Sequence, residues 1–353
     1  MRREEKPMAK LSEVSDEDAP EFIKDCFEAW YHSLYPDRLG LVVSDVSDIT
    51  SGWETRLFYY VLKYTSNSSA HNDRLVARIF SGKGARYEHG IMSRLLRAGY
   101  PVPRVFEVDD GGVLGQPFLT MKFIEGRGLE REFLSGSQED LNGVLDIMMG
   151  LFVRLHDIDI SKIFPDRTGV STREYIDRVL SRQKEVTAEC GIEWMEPLIE
   201  WLEERKGSVT PMPPAVLHGD FHPMNIMLKA DGSPVVLDWG ASHVGDKRSD
   251  LSWLMLLAGT FLEPSVRDAI LAAYEATSGT EMEDIQFFEA LSILRRLTDV
   301  AVSVEAGAEN QGMRPGAVEM MREASDHIRN VYDVLVELTG LRLPEYEEFL
   351  NSL

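Results

Sequence analysis

The sequence predicts an α+β fold in two lobes, a small antiparallel-sheet lobe followed by a larger, mostly helical one. Three observations lead there. Residues 41–80 carry short runs rich in Val, Ile, Leu, Phe and Tyr, separated by polar breaks. Residues from about 141 onward place apolar side chains at helical spacing. One short β segment, 215–240, interrupts those helices. A length of 353 residues is long for one average domain and comfortable for two.

The elements follow in order. An amphipathic start over Phe22–Leu34 precedes three strands, Leu41–Val46, Leu57–Tyr64 and Arg74–Phe80. Ser51-Gly52 separates the first two, and the polar stretch Thr65–Asp73 reads as a longer loop between the second and third. From Ala85 the spacing of Tyr87, Ile91, Leu95 and Leu96 is helical, and the helix should stop near Gly99, before Pro101 and Pro103. A further strand pair includes Pro117–Ile124, and Glu125-Gly126-Arg127-Gly128 reads as a linker. The lobes are therefore expected at 1–124 and 125–353.

In the second lobe Leu141, Val144, Leu145, Met148, Met149, Phe152 and Leu155 form a wide apolar stripe on one long helix. Helices are also expected over 173–189, 194–205, 264–276, 283–305 and 316–339. The interrupting β segment holds two short strands, Asn225–Lys229 and Pro234–Asp238, around the turn signal Asp231-Gly232. Pairing about that two-residue turn sets Asn225 opposite Asp238.

Composition narrows the function. Apolar residues make up 44% and charged residues 27%, an ordinary globular balance. With 37 Lys+Arg against 59 Asp+Glu, the net charge of −22 leaves no basic footprint for nucleic acid and would be repelled by an anionic membrane surface. The charge serves solubility on one reading; on the other, its concentration in residues 263–353, with 18 acidic and 7 basic side chains, suits an acidic cleft that attracts cationic substrates. Cys26 and Cys190 stand in no metal or redox spacing, which suits a reducing, cytoplasmic setting. The N-terminal residues show no apolar signal core, and the longest apolar run, Leu251–Leu262, falls short of the roughly 20 residues that span a bilayer.

The β segment carries the chemistry. Asn225 and Asp238 offer an amide oxygen and a carboxylate, a typical partial shell for magnesium that waters and nucleotide phosphates complete. Asp220, five residues before Asn225, is a second carboxylate held apart from that pair. It is suited to orienting an attacking hydroxyl and accepting its proton. Two other readings stay open: a metal-dependent hydrolase using His218, Asp220, His222, Asp238 and His243, and a nucleotide-binding module without catalysis.

His218-Gly219-Asp220-x4-Asn225, then Leu237-Asp238-Trp239-Gly240, then Gly245-Asp246-x3-Asp250-Leu251, resembles the aminoglycoside phosphotransferase and choline kinase group. The resemblance covers most of residues 43–253 and implies the protein-kinase-like two-lobe fold, an ATP-dependent phosphotransferase and a small hydroxyl-bearing acceptor. It makes Asp220 the base, Asn225 a magnesium ligand and Asp238 the carboxylate bridging metal and phosphates. Ser51 and Gly52 fall where that group has its phosphate-covering loop. Arg78 stands at the third-strand position that is Lys in protein kinases, with Glu88 as its ion-pair partner. Met121, Lys122 and Phe123 match the segment whose backbone meets adenine. Asp246 and Asp250 are expected to cap and brace the following helix, and His156 to pack and hydrogen-bond. In relatives the acceptor lies against the C-terminal helices. Here Glu281, Glu283, Asp284, Glu305 and Glu309 would form an acidic wall favouring an amine-bearing acceptor.

Overall fold

The computed structural model describes residues 10–50, 55–134, 138–167, 169–305 and 325–352. The chain divides into two compact units, with the change at Glu125/Gly126.

The first unit opens with helix α1 (Ala19–Leu34) and a five-stranded antiparallel sheet of β1 (Leu39–Asp48), β2 (Arg56–Ser66), β3 (Ser69–Ile79), β4 (Val105–Asp110) and β5 (Pro117–Lys122). Strand order is β1-β2-β3-β5-β4. Ile23, Phe27 and Tyr31 recur every fourth residue of α1, so one face is apolar, and it buries against Tyr60 and Phe118 of the sheet. The stretch Thr65–Asp73 is not a loop. Strands β2 and β3 run on through it to the pair Ser66↔Ser69. Asn67 and Ser68 make the two-residue turn at φ +49° and +63°. The polar side chains there reflect an exposed hairpin end rather than a break in pairing. Helix α2 (Ala85–Arg97) follows, burying Glu88, Ile91, Met92 and Leu95, and Gly99 closes it at φ +80°.

The second unit begins with another departure. Gly126–Gly128 is a strand, β6, paired with β8 (Ile226–Lys229), not a free linker. A Cβ on Gly126 would stand 2.1 Å from the carbonyl oxygen of Leu228, so the glycine permits a close backbone approach. Strand β9 (Pro234–Val236) completes this three-stranded sheet, while β7 (Ala215–Leu217) and β10 (His243–Gly245) form a separate ribbon. The helices are α3 (Glu130–Phe133), α4 (Gln138–His156), α5 (Ile160–Ile163), α6 (Thr172–Cys190), α7 (Glu196–Arg205), α8 (Lys247–Phe261), α9 (Pro264–Ser278) and α10 (Ile285–Glu305), then Ser325–Thr339 and Pro344–Ser352. Phe288, Leu291, Leu294 and Leu297 of α10 sit in the main core with Ile176 and Leu180 of α6 and Ile328 and Leu335 of the penultimate helix. The first part of the expected helix 316–339 lies outside the described residues.

Candidate active site

The loop His218–Asn225 follows β7, and its backbone is clamped from α8. The Asp250 carboxylate accepts the His218 N–H at 2.7 Å through Oδ2 and the Gly219 N–H at 2.8 Å through Oδ1. His156 Nε2 stands 3.4 Å from the same Oδ2, while its Nδ1 meets the Tyr274 hydroxyl at 2.7 Å. Asp250 is 2% exposed. Burial alone would raise its carboxyl, but the bonds from His156 and the His218 amide outweigh it and hold it below its ordinary value. Asp250 thus braces the loop rather than its own helix. Asp246 is the cap of α8, accepting the Arg248 N–H at 3.1 Å, and it also receives the buried Arg248 guanidinium.

Gly219 has φ +81°, and a Cβ there would stand 2.4 Å from the Ala241 carbonyl oxygen. Only glycine fits both the left-handed backbone and the close approach. His218 is fully buried, which lowers its pKa and keeps the ring neutral. Its Nδ1 accepts the Asp220 N–H at 3.3 Å, so Nε2 carries the proton and donates to Leu237 O at 2.9 Å. With both nitrogens engaged, His218 offers no lone pair to a metal. Among the described residues no group of three or more His, Cys, Asp or Glu is placed to hold a metal ion.

Asp220 projects from this loop with its side chain 34% exposed. Trp253 Nε1–H donates to its Oδ1 at 2.8 Å, and His222 Nε2 lies 3.4 Å from its Oδ2. Burial pushes the carboxyl up, but His222, the Arg295 guanidinium and the Trp253 bond together hold it well below the ordinary carboxylate range. Asp220 is ionised at neutral pH.

The expected facing of Asn225 and Asp238 does not occur. The β8–β9 register runs Ile226↔Val236 and Leu228↔Pro234, and the Leu237 N–H donates to Asn225 O at 2.8 Å. Asn225 therefore opposes Leu237. The cause is the turn: Lys229 pairs with Ser233 around three residues, with Gly232 at φ +78°, a type I turn closed by a left-handed residue. The extra loop residue slips the pairing by one. Asp238 stands just past the paired strand at φ +61°, an uncommon conformation for a residue with a Cβ, of the kind that collects at functional sites. Asn225, in the 3-10 turn Pro223–Asn225, donates through Nδ2 to Asp220 O at 2.9 Å, which leaves its Oδ1 as the available donor oxygen. One carboxylate and one amide oxygen are hard donors that suit magnesium better than a softer metal.

In the first unit Arg78 Nε lies 3.4 Å from Glu88 Oε2, and both side chains are buried. The Lys122 and Phe123 amides already donate to Arg104 O and Arg74 O, at 2.8 and 3.0 Å. Met121 pairs with Val76 and Val105. Ser51 and Gly52 lie outside the described residues. The acidic wall also changes. Asp284 accepts the Thr210 N–H at 2.8 Å and faces Arg248, and Glu309 lies outside the described residues.

A family model described as "Phosphotransferase enzyme family" matches residues 45–288, more than half of the chain. The chain belongs to the phosphotransferase enzyme family. Solved structures with the same fold include a protein from Ralstonia eutropha JMP134 described as a candidate aminoglycoside phosphotransferase. It is 22% identical, with 87% of this chain and 97% of that one covered and a TM-score of 0.59. Aminoglycoside phosphotransferase APH(4)-Ia, as a ternary complex with ADP and hygromycin B, is 14% identical over 86% of this chain and 98% of that one, at TM-score 0.57. Plasmodium vivax ethanolamine kinase is 13% identical over 81% of each chain, at 0.56. At these identities the likeness shows the fold. This phosphotransferase thus has the kinase-like α+β fold, and no described helix is long and apolar enough to cross a membrane.

Two members of the loop's surroundings carried no functional signal in the sequence. Trp253 falls within the apolar run Leu251–Leu262, although it lies three residues past Asp250 on the same face of α8. Arg295, whose Nη1 donates to Gly219 O at 2.6 Å, sits 76 residues away in a helix without a motif.

Proposed function

We propose that this protein transfers the γ-phosphoryl group of ATP to a hydroxyl of a small molecule, with Asp220 as the base. The observation that carries the reading is an ionised Asp220 carboxylate on a loop whose backbone is fixed by buried Asp250. APH(4)-Ia was crystallised with ADP and AMP-PNP and the ethanolamine kinase is a small-molecule kinase, which supports a nucleotide donor here. A carboxylate held this far below its usual range is a weak base in the ground state. It accepts the hydroxyl's hydrogen bond, orients the oxygen, and takes the proton as the new O–P bond forms and the bond to the ADP oxygen breaks.

Asn225 and Asp238 would hold magnesium, which when bound neutralises phosphate charge and fixes phosphate orientation. Arg78, kept in place by Glu88, would hold nucleotide phosphates as a planar fork. Ser51 and Gly52 are the proposed phosphate-covering residues. Met121, Lys122 and Phe123 are the proposed adenine-facing segment, in which the Lys122 and Phe123 N–H groups are already engaged within the sheet. For an amine-bearing acceptor, a proposed contact is Asp299 of α10, whose Oδ2 lies 3.7 Å from the Arg295 Nε.

The test is a screen of hydroxylated small molecules, amines among them, for acceptor-stimulated ADP formation. Wild type should be active with magnesium, silent after chelation and restored by magnesium rather than zinc. Asp220→Ala should lower turnover about a thousandfold or more while nucleotide binding persists. Nucleotide binding with no turnover on any acceptor would favour the non-catalytic module. Retention of tightly bound zinc would favour the hydrolase.

A further inference from the structure

We propose that Trp253 and Arg295 act as a positioning pair that anchors one oxygen of Asp220 and leaves the other, Oδ2, as the atom that takes the acceptor's proton. The inference rests on Asp220 being the base.

The two carboxylate oxygens are not equivalent. Oδ1 receives the Trp253 indole N–H at 2.8 Å, whereas Oδ2 has the imidazole of His222 at 3.4 Å. An indole N–H is a donor only, so Trp253 can hold the carboxylate but cannot relay its proton. The holding is firm because the donor is itself fixed. Trp253 is 5% exposed on α8, one turn beyond the Asp250 that binds the loop amides. One helix face therefore sets both the backbone and the carboxylate of the loop.

Arg295 closes the arrangement from α10. Its Cζ stands 3.9 Å from the centre of the Trp253 ring, its Nη1 donates to Gly219 O at 2.6 Å, and its Nε lies 3.7 Å from Asp299 Oδ2. A cation over the ring face draws electron density from the indole and strengthens the N–H as a donor. The same guanidinium pins the carbonyl of the residue before Asp220. Rotation of the carboxylate would break the Trp253 bond, so the pair restricts the base to one orientation. This ring face, already covered by Arg295, is also closed to a substrate cation.

The test uses the full-length protein and Mg–ATP with water as acceptor, read as ADP release, with thermal melting on each variant. Trp253→Phe keeps the ring and removes the N–H. Its kcat should fall about tenfold to a hundredfold, the weight of one charge-assisted hydrogen bond, with KM for ATP within about twofold of wild type. Arg295→Met, at a partly exposed side chain, should lower kcat by about tenfold with the same unchanged KM.

Wild-type kcat in Trp253→Phe, with Asp220→Ala inactive, overturns the positioning role and leaves the base standing. Full activity in Asp220→Ala overturns both. If Trp253→Phe does not fold or turnover is too slow to read, the indole ¹⁵N–¹H resonances of the wild type and Asp220→Ala decide. One hydrogen-bonded indole, distinct from that of buried Trp239 whose N–H donates to Val236 O, should move upfield and lose protection in Asp220→Ala. An unchanged indole spectrum overturns the proposal.

Discussion

Replacing Asp250 by Asn tests the loop clamp with the smallest change of shape. The carboxylate, 2% exposed, accepts two backbone N–H groups at 2.7 and 2.8 Å, one on each oxygen. An amide has a single acceptor oxygen. Whichever way it turns, its NH₂ faces either the His218 or the Gly219 N–H, donor against donor. The substitution loses one charge-assisted bond, about 1.5–3 kcal/mol, and strands one buried donor, about 1–3 kcal/mol. Together these give roughly 3–5 kcal/mol of destabilisation, the range found when one partner of a buried charge network is removed. At about 2–3 °C per kcal/mol for a protein of this size, the melting temperature should fall by roughly 6–15 °C. Calorimetry measures that fall, and hydrogen exchange at the His218 and Gly219 amides should accelerate. ADP formation well below the melting temperature should drop at least about tenfold, because Asp220 follows directly on the released amides. A variant that melts within about 2 °C of wild type and keeps both amides protected would refute the clamp.

Two further outcomes follow from neighbouring geometry. Gly219→Ala places a Cβ 2.4 Å from Ala241 O at φ +81°, so it should cost about 2 kcal/mol or more and abolish ADP formation, checked by melting and turnover together. His327 accepts from Arg296 Nε at 3.2 Å, and burial followed by the Arg296 charge pushes its pKa down to about 3, from 6.5. Below pH 6.5 the unfolded chain binds a proton that the folded chain refuses, so stability falls as pH drops from 6.5 toward 3. Between pH 7 and pH 5 that is about 2 kcal/mol, and His327→Gln, which keeps an acceptor for Arg296, should lose correspondingly less on thermal melts at the two pH values.

How much was legible depended on whether a signal was local. Helix α2 showed itself through its apolar spacing and Gly99, because a helix and its stop are written within a few residues. The loop His218–Asn225 was visible because its residue types stand close together in the sequence, although Gly219 meets Ala241 and Asp250 and Asp220 meets Trp253 only in the fold. The register of the β8–β9 hairpin was not. Asp231-Gly232 favours a two-residue turn, yet Gly232 serves as the third loop residue, and one position decides whether Asp238 or Leu237 opposes Asn225. Polar composition misled at Thr65–Asp73, because the end of a hairpin that meets solvent looks like a loop. It misled again at Gly126–Gly128, where the glycine serves strand pairing. Trp253 and Arg295 were hidden for another reason: their partners lie 33 and 76 residues away and form only once α8 and α10 are packed.

The acidity of the last quarter of the chain takes on a different meaning once packing is known. Glu289 is buried and answers Arg267 through two bonds, and Asp284 answers Arg248 and the Thr210 amide. These carboxylates are spent within the fold and cannot select a substrate. Glu281 and Glu283 are exposed, but they precede α10 and lie at least about 15 Å along its axis from Arg295, by helical rise. Asp299 of α10 is half-buried and shares its charge with Arg295. A cationic acceptor would therefore be drawn to the region by the net charge of −22 acting at long range, then discriminated by one partly neutralised carboxylate. Long-range attraction weakens with salt, and a single exposed pair contributes little. For such an acceptor, charge would govern encounter more than identity.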